Sequence, residues 1–403
     1  MKSKYFMSKS QKKTTAKQSK EDKQQDIDTQ EVSNENDQTS EVTHNALGLP
    51  VRKVHADDLT NPTITEMDYD VRGLPKSISV ETPQGLKSLA KFQRNLSGQP
   101  ILRTSFGQQQ AWFYDEHGRV VFHSVKNQLA NIVAGEQLRY DDVGNISSLK
   151  NLGSNITLNY SYDKQHQLIS TKSLPANIYN AAYQYSPAGR VLGVRIASSN
   201  PSSDVLTRNV QHLYTPGQGN TTLVADPAAV RRLMPIGANT SPIASYDYDD
   251  SGNLIKRIIG EDLWKFAYDG YDQLRESSKC SVQLENQCVR EVYYYDHNGQ
   301  RILSSRGSVD NTVEQSRQWL GEDEVWYNPE GQVEKTWAHV NAGMPIARIE
   351  RVIDSQSETI EQNYNSVHSH QLISLDEDEG VKARFVFAPF GEVLSQNDTE
   401  NDH

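Results

Sequence analysis

The sequence is poor in apolar residues. Only 35% of its 403 residues are Ala, Val, Ile, Leu, Met, Phe, Trp, Tyr or Cys, whereas an ordinary globular chain has roughly 45–50% apolar residues. Such a chain is not expected to build one thick core. It does hold 19 Tyr, 9 Phe and 5 Trp, and Tyr can pack on one side while its hydroxyl stays in water. The composition therefore favours large, thin sheets.

Other absences exclude further classes of protein. There is no excess of positive charge, because the net charge is −11 and the pI is about 5.5, which argues against a general nucleic-acid binder. No apolar run reaches about 18 residues, so we predict no membrane span. The basic N-terminus lacks the apolar stretch of a cleaved secretory signal. We therefore expect a cytoplasmic protein that is secreted, if at all, by a dedicated machine.

The first 48 residues differ from the rest. Residues 1–20 carry seven Lys and no acid, and residues 21–42 carry eight Asp or Glu among Gln, Ser, Thr and Asn. Apolar side chains are too sparse there to offset the entropy of ordering the chain. We predict a disordered tail over residues 1–48, either a solubilising extension or a docking tail.

A short unit repeats from about residue 50 onward. It reads aromatic, Asp, two variable residues, Gly, any residue, apolar, as in YDDVG at 140–144. Seven of the 19 Tyr have Gly four residues later, far more than 24 scattered Gly would give. These pairs are Tyr69 and Gly73, Tyr114 and Gly118, Tyr140 and Gly144, Tyr185 and Gly189, Tyr248 and Gly252, Tyr295 and Gly299, and Tyr327 and Gly331. An eighth copy at 387–391 contains Pro389, Phe390 and Gly391, and two copies, at 162–169 and 268–276, lack the Gly.

Each unit has the pattern of a β-hairpin. The residue two before the motif aromatic is apolar in every copy, which puts both on one face of a strand. Asp can accept hydrogen bonds from the backbone that follows it, and Gly supplies the positive φ of a tight turn. The closest copies lie 20–27 residues apart, as in a stacked repeat. We predict an all-β fold of repeated antiparallel hairpins.

The repeat array is expected to span residues 49–339. Within it, residues 196–245 are rich in Ser, Pro and Asn and indicate an irregular insertion. The segment DPAAVRRLM at 226–234 has the pattern of one or two helical turns. Residues 340–403 are predicted to form a separate end region, which contains the last unit at 387–391 and a short disordered C-terminus.

These motifs resemble those of the Rhs/YD-repeat family, which includes bacterial Rhs polymorphic toxins and toxin-complex C-component-like proteins. The resemblance covers roughly residues 60–395 and is most specific in 319–350 and 363–395. There the family has an aromatic–His segment, an Asp-x-x-Gly turn and a Pro-Phe-Gly motif. The corresponding positions are Tyr364, His368, His370, Asp376, Gly380 and Pro389-Phe390-Gly391. The family's usual Asp-His-Leu-Gly is replaced by SHQLIS.

The resemblance implies enclosure of a cargo. In that family, hairpins wind into a hollow shell around a toxic C-terminal segment, so the resemblance implies that the sheet here is curved, spiral and shell-like. Many members of the family cleave themselves with aspartates of an Asp-Pro-x-x-Gly segment. The sequence has 12 residues after Gly391 and contains neither that segment nor a toxin domain, so no protease or toxin residue carries over. We expect a truncated or split, non-enzymatic shell scaffold of a bacterial toxin system. Its expected partner is a toxin cargo or a complementary shell segment, with glycans or a secretion-system component as further alternatives.

The two cysteines allow two interpretations. Cys280 and Cys288 flank the segment SVQLENQ between two units, and facing strands would bring them into disulfide range. Without a signal peptide, free thiols are the alternative. Two cysteines cannot supply the disulfide framework of a small secreted domain.

Two other patterns suggest metals only weakly. His368 and His370 would share one face of a strand, but two ligands are too few for a metal site. The segment DYDDSG at 247–252 resembles the start of a calcium loop, whose twelfth position would be Ile258 instead of Glu. We expect no metal and no cofactor.

The Tyr-rich face also allows two interpretations. Cross-strand packing is one, and stacking on glycans in a carbohydrate- or surface-binding module is the other. No GxSxG, P-loop, GxGxxG, HExxH or CxxC motif occurs, so we assign no catalytic residue. A cryptic hydrolase or protease remains as a third hypothesis.

Overall fold

The computed structural model describes residues 28–33, 39–55, 62–82, 85–175, 178–197, 208–214, 229–235, 241–308, 312–366, 371–378, 380–387, 389–390 and 393–398. Within these ranges the chain forms 31 strands of one sheet and no helix. The prediction of an all-β fold of antiparallel hairpins is confirmed. No helical segment of the described part has the length and apolar character needed to cross a membrane.

The first fifteen strands are β1 (Asp28–Ser33), β2 (Thr39–His44), β3 (Pro50–Val54), β4 (Ile64–Tyr69), β5 (Pro75–Thr82), β6 (Gly85–Arg94), β7 (Pro100–Ser105), β8 (Gln108–Tyr114), β9 (Val120–Lys126), β10 (Ile132–Tyr140), β11 (Ile146–Asn151), β12 (Thr157–Tyr162), β13 (Leu168–Leu174), β14 (Asn180–Tyr185) and β15 (Val191–Ala197). The others are β16 (Arg208–Leu213), β17 (Arg232–Pro235), β18 (Ala244–Tyr248), β19 (Leu254–Ile259), β20 (Asp262–Tyr268), β21 (Leu274–Ser281), β22 (Leu284–Tyr295), β23 (Arg301–Ser308), β24 (Val313–Leu320), β25 (Asp323–Tyr327), β26 (Val333–Asn341), β27 (Pro345–Val352), β28 (Ser357–Asn365), β29 (Gln371–Leu375), β30 (Val381–Phe387) and β31 (Val393–Asp398).

The pairing register of the two strands in a hairpin shifts by one residue at the motif tyrosine. In the β14–β15 hairpin Gln184 faces Gly193, but the next residue, Tyr185, faces Val191. The same shift occurs at Tyr114 in β8–β9 and at Tyr295 in β22–β23. One extra residue in one strand is a β-bulge, which bends the strand and increases its twist. The repeat therefore places a bulge beside each of these turns.

The described residues belong to two compact units. The first is made from Met1–Glu136, Arg317–Arg384 and Asp398–His403, and the second from Gln137–Ser316 and Phe385–Asn397. In the first, β5 and β6 pack against β26, β27 and β28 around Ile78, Val80, Leu89, Ala90, Phe92, Ala338, Val340, Ile346, Ala347, Ile349 and Ile360. In the second, the main core contains Ile156, Leu158, Tyr179, Ala181, Tyr183, Ile196, Val386 and Leu394.

Two strands lie within the segment that composition predicts to be disordered. β1 pairs with β2, β2 pairs with β3, and Ser40 of β2 is buried. Residues 1–27 and 34–38 lie outside the described residues. Composition misses these strands because a ladder pairs backbone groups whatever the side chains, and Val32 and Val42 are their only aliphatic residues.

The predicted insertion at 196–245 also contributes strands. β16 pairs with β15 and β17, and β17 pairs with β18. Residues 232–234 belong to β17, so the prediction of helical turns is wrong for them, and residues 226–228 lie outside the described residues. A helix this short is costly to nucleate, whereas pairing with β16 satisfies the same backbone groups.

Candidate functional site

The motif turns share one hydrogen-bonding pattern. The Asp296 N–H donates to the Gln300 carbonyl (2.8 Å), and the Gly299 N–H donates to the Asp296 carbonyl (3.1 Å). The Asp296 carboxylate accepts from the N–H groups of Asn298 (2.8 Å) and Gln300 (2.9 Å). The carboxylate pattern recurs at Asp70, Asp115, Asp141, Asp163, Asp249 and Asp269. At Asp70 the hydrogen bond from the Leu74 N–H lowers the pKa of the carboxyl.

The fourth turn residue lies in the left-handed region. The seven predicted glycines have φ values between 76° and 96°: Gly73, Gly118, Gly144, Gly189, Gly252, Gly299 and Gly331. In the two copies without Gly, His166 (φ 61°) and Asp272 (φ 60°) occupy this position, and both residue types tolerate it better than most. The pattern missed turns that begin with Asn and lack a preceding aromatic, at Asn45, Asn95 and Asn127. Their Asx spacing is the signal that would have found them.

Six motif tyrosines tie their hairpins to an earlier hairpin, and so does Tyr214, which lies outside the motif. The Tyr268 hydroxyl donates to the Leu254 carbonyl (3.0 Å), and Leu254 is the fifth residue after Asp249, which begins the preceding turn. The same bond, at 2.6–3.0 Å, joins Tyr69 to Pro50, Tyr114 to Pro100, Tyr162 to Ile146, Tyr185 to Leu168, Tyr214 to Val191 and Tyr295 to Leu274. Burial raises the pKa of Tyr69 and Tyr114. We name this bond the tyrosine clamp.

The remaining predicted positions have other contacts. Tyr248 donates to the Val230 carbonyl (3.1 Å), Tyr327 donates to the Gln318 side chain (2.8 Å), and Tyr140 ends β10 before the Asp141 turn. Pro389 and Phe390 form a turn, with the Phe390 ring centroid 5.0 Å from that of Tyr183. Gly391, His368 and His370 lie outside the described residues.

Removing one clamp hydroxyl should weaken the second unit measurably. We expect Tyr268→Phe to lower the free energy of unfolding by about 1 kcal/mol, because the Leu254 carbonyl loses its hydroxyl donor. The matched control is Tyr271→Phe in the same turn, whose side chain is 88% exposed and whose change should stay within about 0.5 kcal/mol. Urea unfolding followed by circular dichroism measures both, and equal effects would refute the clamp.

The two cysteines form a disulfide. Cys280 of β21 and Cys288 of β22 face each other in register, with their Cα atoms 4.3 Å apart. Both are buried beside Leu263 and Ile258. The bond therefore lies inside a small apolar cluster of the second unit.

A buried ionic cluster, which we call the Asp323 cluster, joins distant parts of the first unit. Asp323 is 1% exposed and accepts from Lys53 Nζ (2.9 Å), His55 Nδ1 (2.9 Å) and Ser40 Oγ (3.4 Å). Burial acts to raise the pKa of Asp323, but His55 and Lys53 outweigh it and hold that pKa well below its usual range.

The Asp323 cluster also resembles a nucleophile–base–acid series. His55 Nε2 lies 3.1 Å from Thr65 Oγ1, and its Nδ1 faces Asp323. Such series are recognised by geometry and not by chain order. Yet His55 and Thr65 are only 2% and 1% exposed, so in the described structure a substrate cannot reach the hydroxyl. The arrangement can hold strands together, but it cannot receive a substrate.

A second buried polar group is centred on Arg103. Its guanidinium donates to the backbone carbonyls of Asn363 (2.8 Å) and Ile346 (2.9 Å) and to Gln362 Oε1 (2.6 Å). It also lies over the Tyr364 ring, 4.7 Å from the centroid. Arg103 is 1% exposed, and burial lowers its pKa. One side chain thus joins β7 to β27 and β28.

His123 lies in the interior of the same unit. It is fully buried, its Nε2 lies 2.7 Å from Gln110 Nε2, and its ring stacks on Trp112 at 5.6 Å. Burial lowers its pKa to about 4. The imidazole therefore stays neutral well below the pH at which an exposed histidine gains a proton.

His123 should make the first unit sensitive to mild acid. At His123 the unfolded chain binds a proton near pH 6.5 and the folded chain only near pH 4, so the contribution of His123 to stability is constant above pH 7 and falls as pH drops between these values. The full loss is about 3 kcal/mol. We expect His123→Gln, which cannot be protonated, to remove this part of the pH dependence in unfolding measured from pH 7.5 to 4. His117→Gln, at an exposed turn position, is the control and should retain the wild-type slope.

Among the described residues, no three His, Cys, Asp or Glu side chains are grouped so that they could hold a metal ion. Asp249 of the calcium-like segment accepts instead from the backbone of Ser251 (3.0 Å) and Asn253 (2.7 Å). The Asp249 carboxylate therefore binds the backbone of its own turn.

Comparison with known proteins gives a likeness in structure alone. No protein-family model and no curated sequence matches the chain. The crystal structure of TcdB2-TccC3-Cdc42 matches 93% of this chain and 20% of that one, at 16% identity and a TM-score of 0.70. The fold is that of a region of toxin-complex chains. A Tc holotoxin pore from Photorhabdus luminescens with a mutated TccC3 matches 93% of this chain and 19% of that one, at 14% identity and a TM-score of 0.70. The chain thus spans about one fifth of these toxin chains.

Proposed function

We propose that this chain is a non-enzymatic Rhs/YD-type scaffold of a bacterial toxin system, which encloses or carries a toxic polypeptide. The observation that carries the proposal is the likeness in fold to toxin-complex chains over 93% of the chain. The repeated Tyr-Asp-x-x-Gly unit supports it independently, because it is the motif on which the resemblance to that family rests.

The use of the polar residues supports a structural function. The motif aspartates bind the backbone of their own turns, and the motif tyrosines clamp neighbouring hairpins. The Asp323 cluster has a nucleophile–base–acid order but is buried. Self-cleavage and hydrolysis are therefore not part of the proposal.

The glycan-binding alternative has little support in the described residues. Stacking on a sugar requires a free aromatic face, whereas the clamp tyrosines are half-buried with their hydroxyls bound to backbone carbonyls. Four aromatic rings of the described residues are exposed, but they belong to different hairpins: Phe113, Tyr271, Tyr294 and Phe390. The proposal therefore takes cross-strand packing as the reason for the Tyr-rich pattern.

The scaffold function can be tested by purifying the full chain, at its natural level, from the cells that produce it. We expect a complex with a second polypeptide, which survives a trypsin concentration that digests it once it is separated from this chain. Recovery of this chain alone, or digestion of the second polypeptide at equal rates bound and free, would overturn the proposal.

A separate measurement tests the non-enzymatic part. The intact mass of the purified full chain should remain constant over a long incubation, and a general panel of ester, peptide and glycoside substrates should stay uncleaved. A time-dependent loss of mass or turnover of one substrate would contradict this part alone.

A further inference from the structure

Seven pairs of turns touch each other through two defined positions. In each pair the fifth residue of one turn reaches over the fourth residue of a later turn, the one with positive φ, whereas Gly331 has nothing within 4 Å of its Cβ position. Gln99 Nε2 donates to the Gly118 carbonyl at 2.8 Å. In the second unit the amide nitrogen of Gln273 lies 2.8 Å from the place where a Cβ on Gly299 would be, and that of Gln167 lies 3.1 Å from the same place on Gly189. In these pairs the long side chain of Gln thus covers a turn whose fourth residue, Gly, has no side chain.

The two turns without glycine have a different partner. His166 and Asp272 are preceded by turns whose fifth residue is Asn instead of Gln. Asn145 Nδ2 lies 3.1 Å from His166 Nδ1, and Asn253 Nδ2 donates to Asp272 Oδ1 at 2.8 Å. In these two pairs the short amide of Asn contacts a side chain that can form a hydrogen bond. In the Gln pairs the fourth residue is Gly, so the Gln amide contacts only its backbone.

A third combination is apolar. Leu49 Cδ1 lies 3.4 Å from where a Cβ on Gly73 would be, and Leu74 Cδ1 lies 3.1 Å from the same place on Gly98. A Cβ contact at 3.1 Å is tighter than nine in ten real Cβ contacts. Leu therefore also pairs with Gly.

We propose that, in the pairs of turns where these two positions are in contact, they form a pairing code between hairpins: Gln or Leu selects a partner turn with Gly, and Asn selects a partner turn with His or Asp. The physical basis is reach, because Gln is one methylene longer than Asn. A Gln at the fifth position would collide with a side chain at the fourth position of the partner turn. The shorter Asn instead needs that side chain as its hydrogen-bonding partner. The code concerns the order of hairpins and holds whether or not the chain carries a cargo.

The test converts one pair into the other on the full chain. In Gly299→Asp, the new Cβ displaces the Gln273 amide from its place over the turn, and we expect this displacement and the positive φ together to lower the hydrogen-exchange protection of the 296–300 turn roughly tenfold. In Gln273→Asn/Gly299→Asp, the pair becomes that of Asn253 and Asp272, and protection should return to within about threefold of wild type. Exchange is followed by mass spectrometry of peptides that span the turn.

Two controls separate the code from simple steric relief. Gln273→Ala/Gly299→Asp removes the clash but supplies no donor, so it should recover less protection than the Asn double variant. Gly331→Asp has a similar backbone (φ 80°) with nothing within 4 Å of the new Cβ, so it measures the cost of φ alone. The proposal is overturned if Gly299→Asp loses no more protection than Gly331→Asp. Equal recovery by the Ala and Asn double variants would also overturn it.

Discussion

Replacing Arg103 by Met should unfold the first compact unit at a much lower temperature. Met fills similar space, but it leaves the acceptors on Asn363, Ile346 and Gln362 without the guanidinium in a dry interior. An orphaned buried polar group costs about 1–3 kcal/mol. We therefore expect a loss of roughly 3–5 kcal/mol, at the upper end for a single substitution.

Tryptophan fluorescence can follow this loss in the full chain, because four of the five tryptophans, Trp112, Trp319, Trp326 and Trp337, belong to the first unit. Arg139→Met, at an exposed position of β10, is the matched control and should leave the midpoint nearly unchanged. Arg103→Lys keeps the charge but not the planar fork, so its midpoint should lie between wild type and Arg103→Met. Equal midpoints for the two Met variants would refute the role of Arg103.

The hairpins could be predicted from sequence because their determinants are local. An Asp and a residue with positive φ three positions later close a turn by short-range bonds, so the spacing around Tyr295 and Gly299 suffices. The tyrosine clamp could be predicted only in part. The excess of Tyr indicated aromatic side chains that are half-exposed, but the carbonyl that each hydroxyl binds lies 14–23 residues earlier, in another hairpin. The Asn turns were missed because they lack the aromatic that marks the other copies.

The buried polar groups could not be predicted, because they join residues far apart in sequence. Ser40 and Asp323 are 283 positions apart, and Arg103 and Asn363 are 260 apart. Locally, Asp323 stands in a polar segment typical of an exposed turn, and Arg103 follows exposed Ile101 on the same strand. Only the packing of one part of the sheet on another makes these charges interior.

Removing the charge of Asp323 should be nearly as costly as removing Arg103. In Asp323→Asn, Lys53 and His55 lose their carboxylate, and the Lys53 side chain is only 13% exposed. Breaking a buried ion pair from one side costs about 3–5 kcal/mol, because the other charge stays in a dry place. Asp68→Asn, at an exposed position of β4, is the control and should change stability by less than about 0.5 kcal/mol.

A second substitution, at Lys53, shows where the stability lost in Asp323→Asn comes from. If the cost comes from leaving the Lys53 charge without its partner, then Lys53→Met/Asp323→Asn should recover much of the lost stability, because neutral partners often replace a buried pair without penalty.

The dependence of stability on pH in the acid range gives an independent check of the ion pair. The pKa of Asp323 is depressed in the folded state, so its contribution is present above the unfolded pKa of about 4 and is lost only as pH falls below it. Asp323→Asn should therefore flatten the stability curve below about pH 4, whereas His123→Gln acts between about pH 6.5 and 4. If the free energy of unfolding of Asp323→Asn falls below pH 4 as steeply as that of wild type, the ion pair does not stabilise the fold.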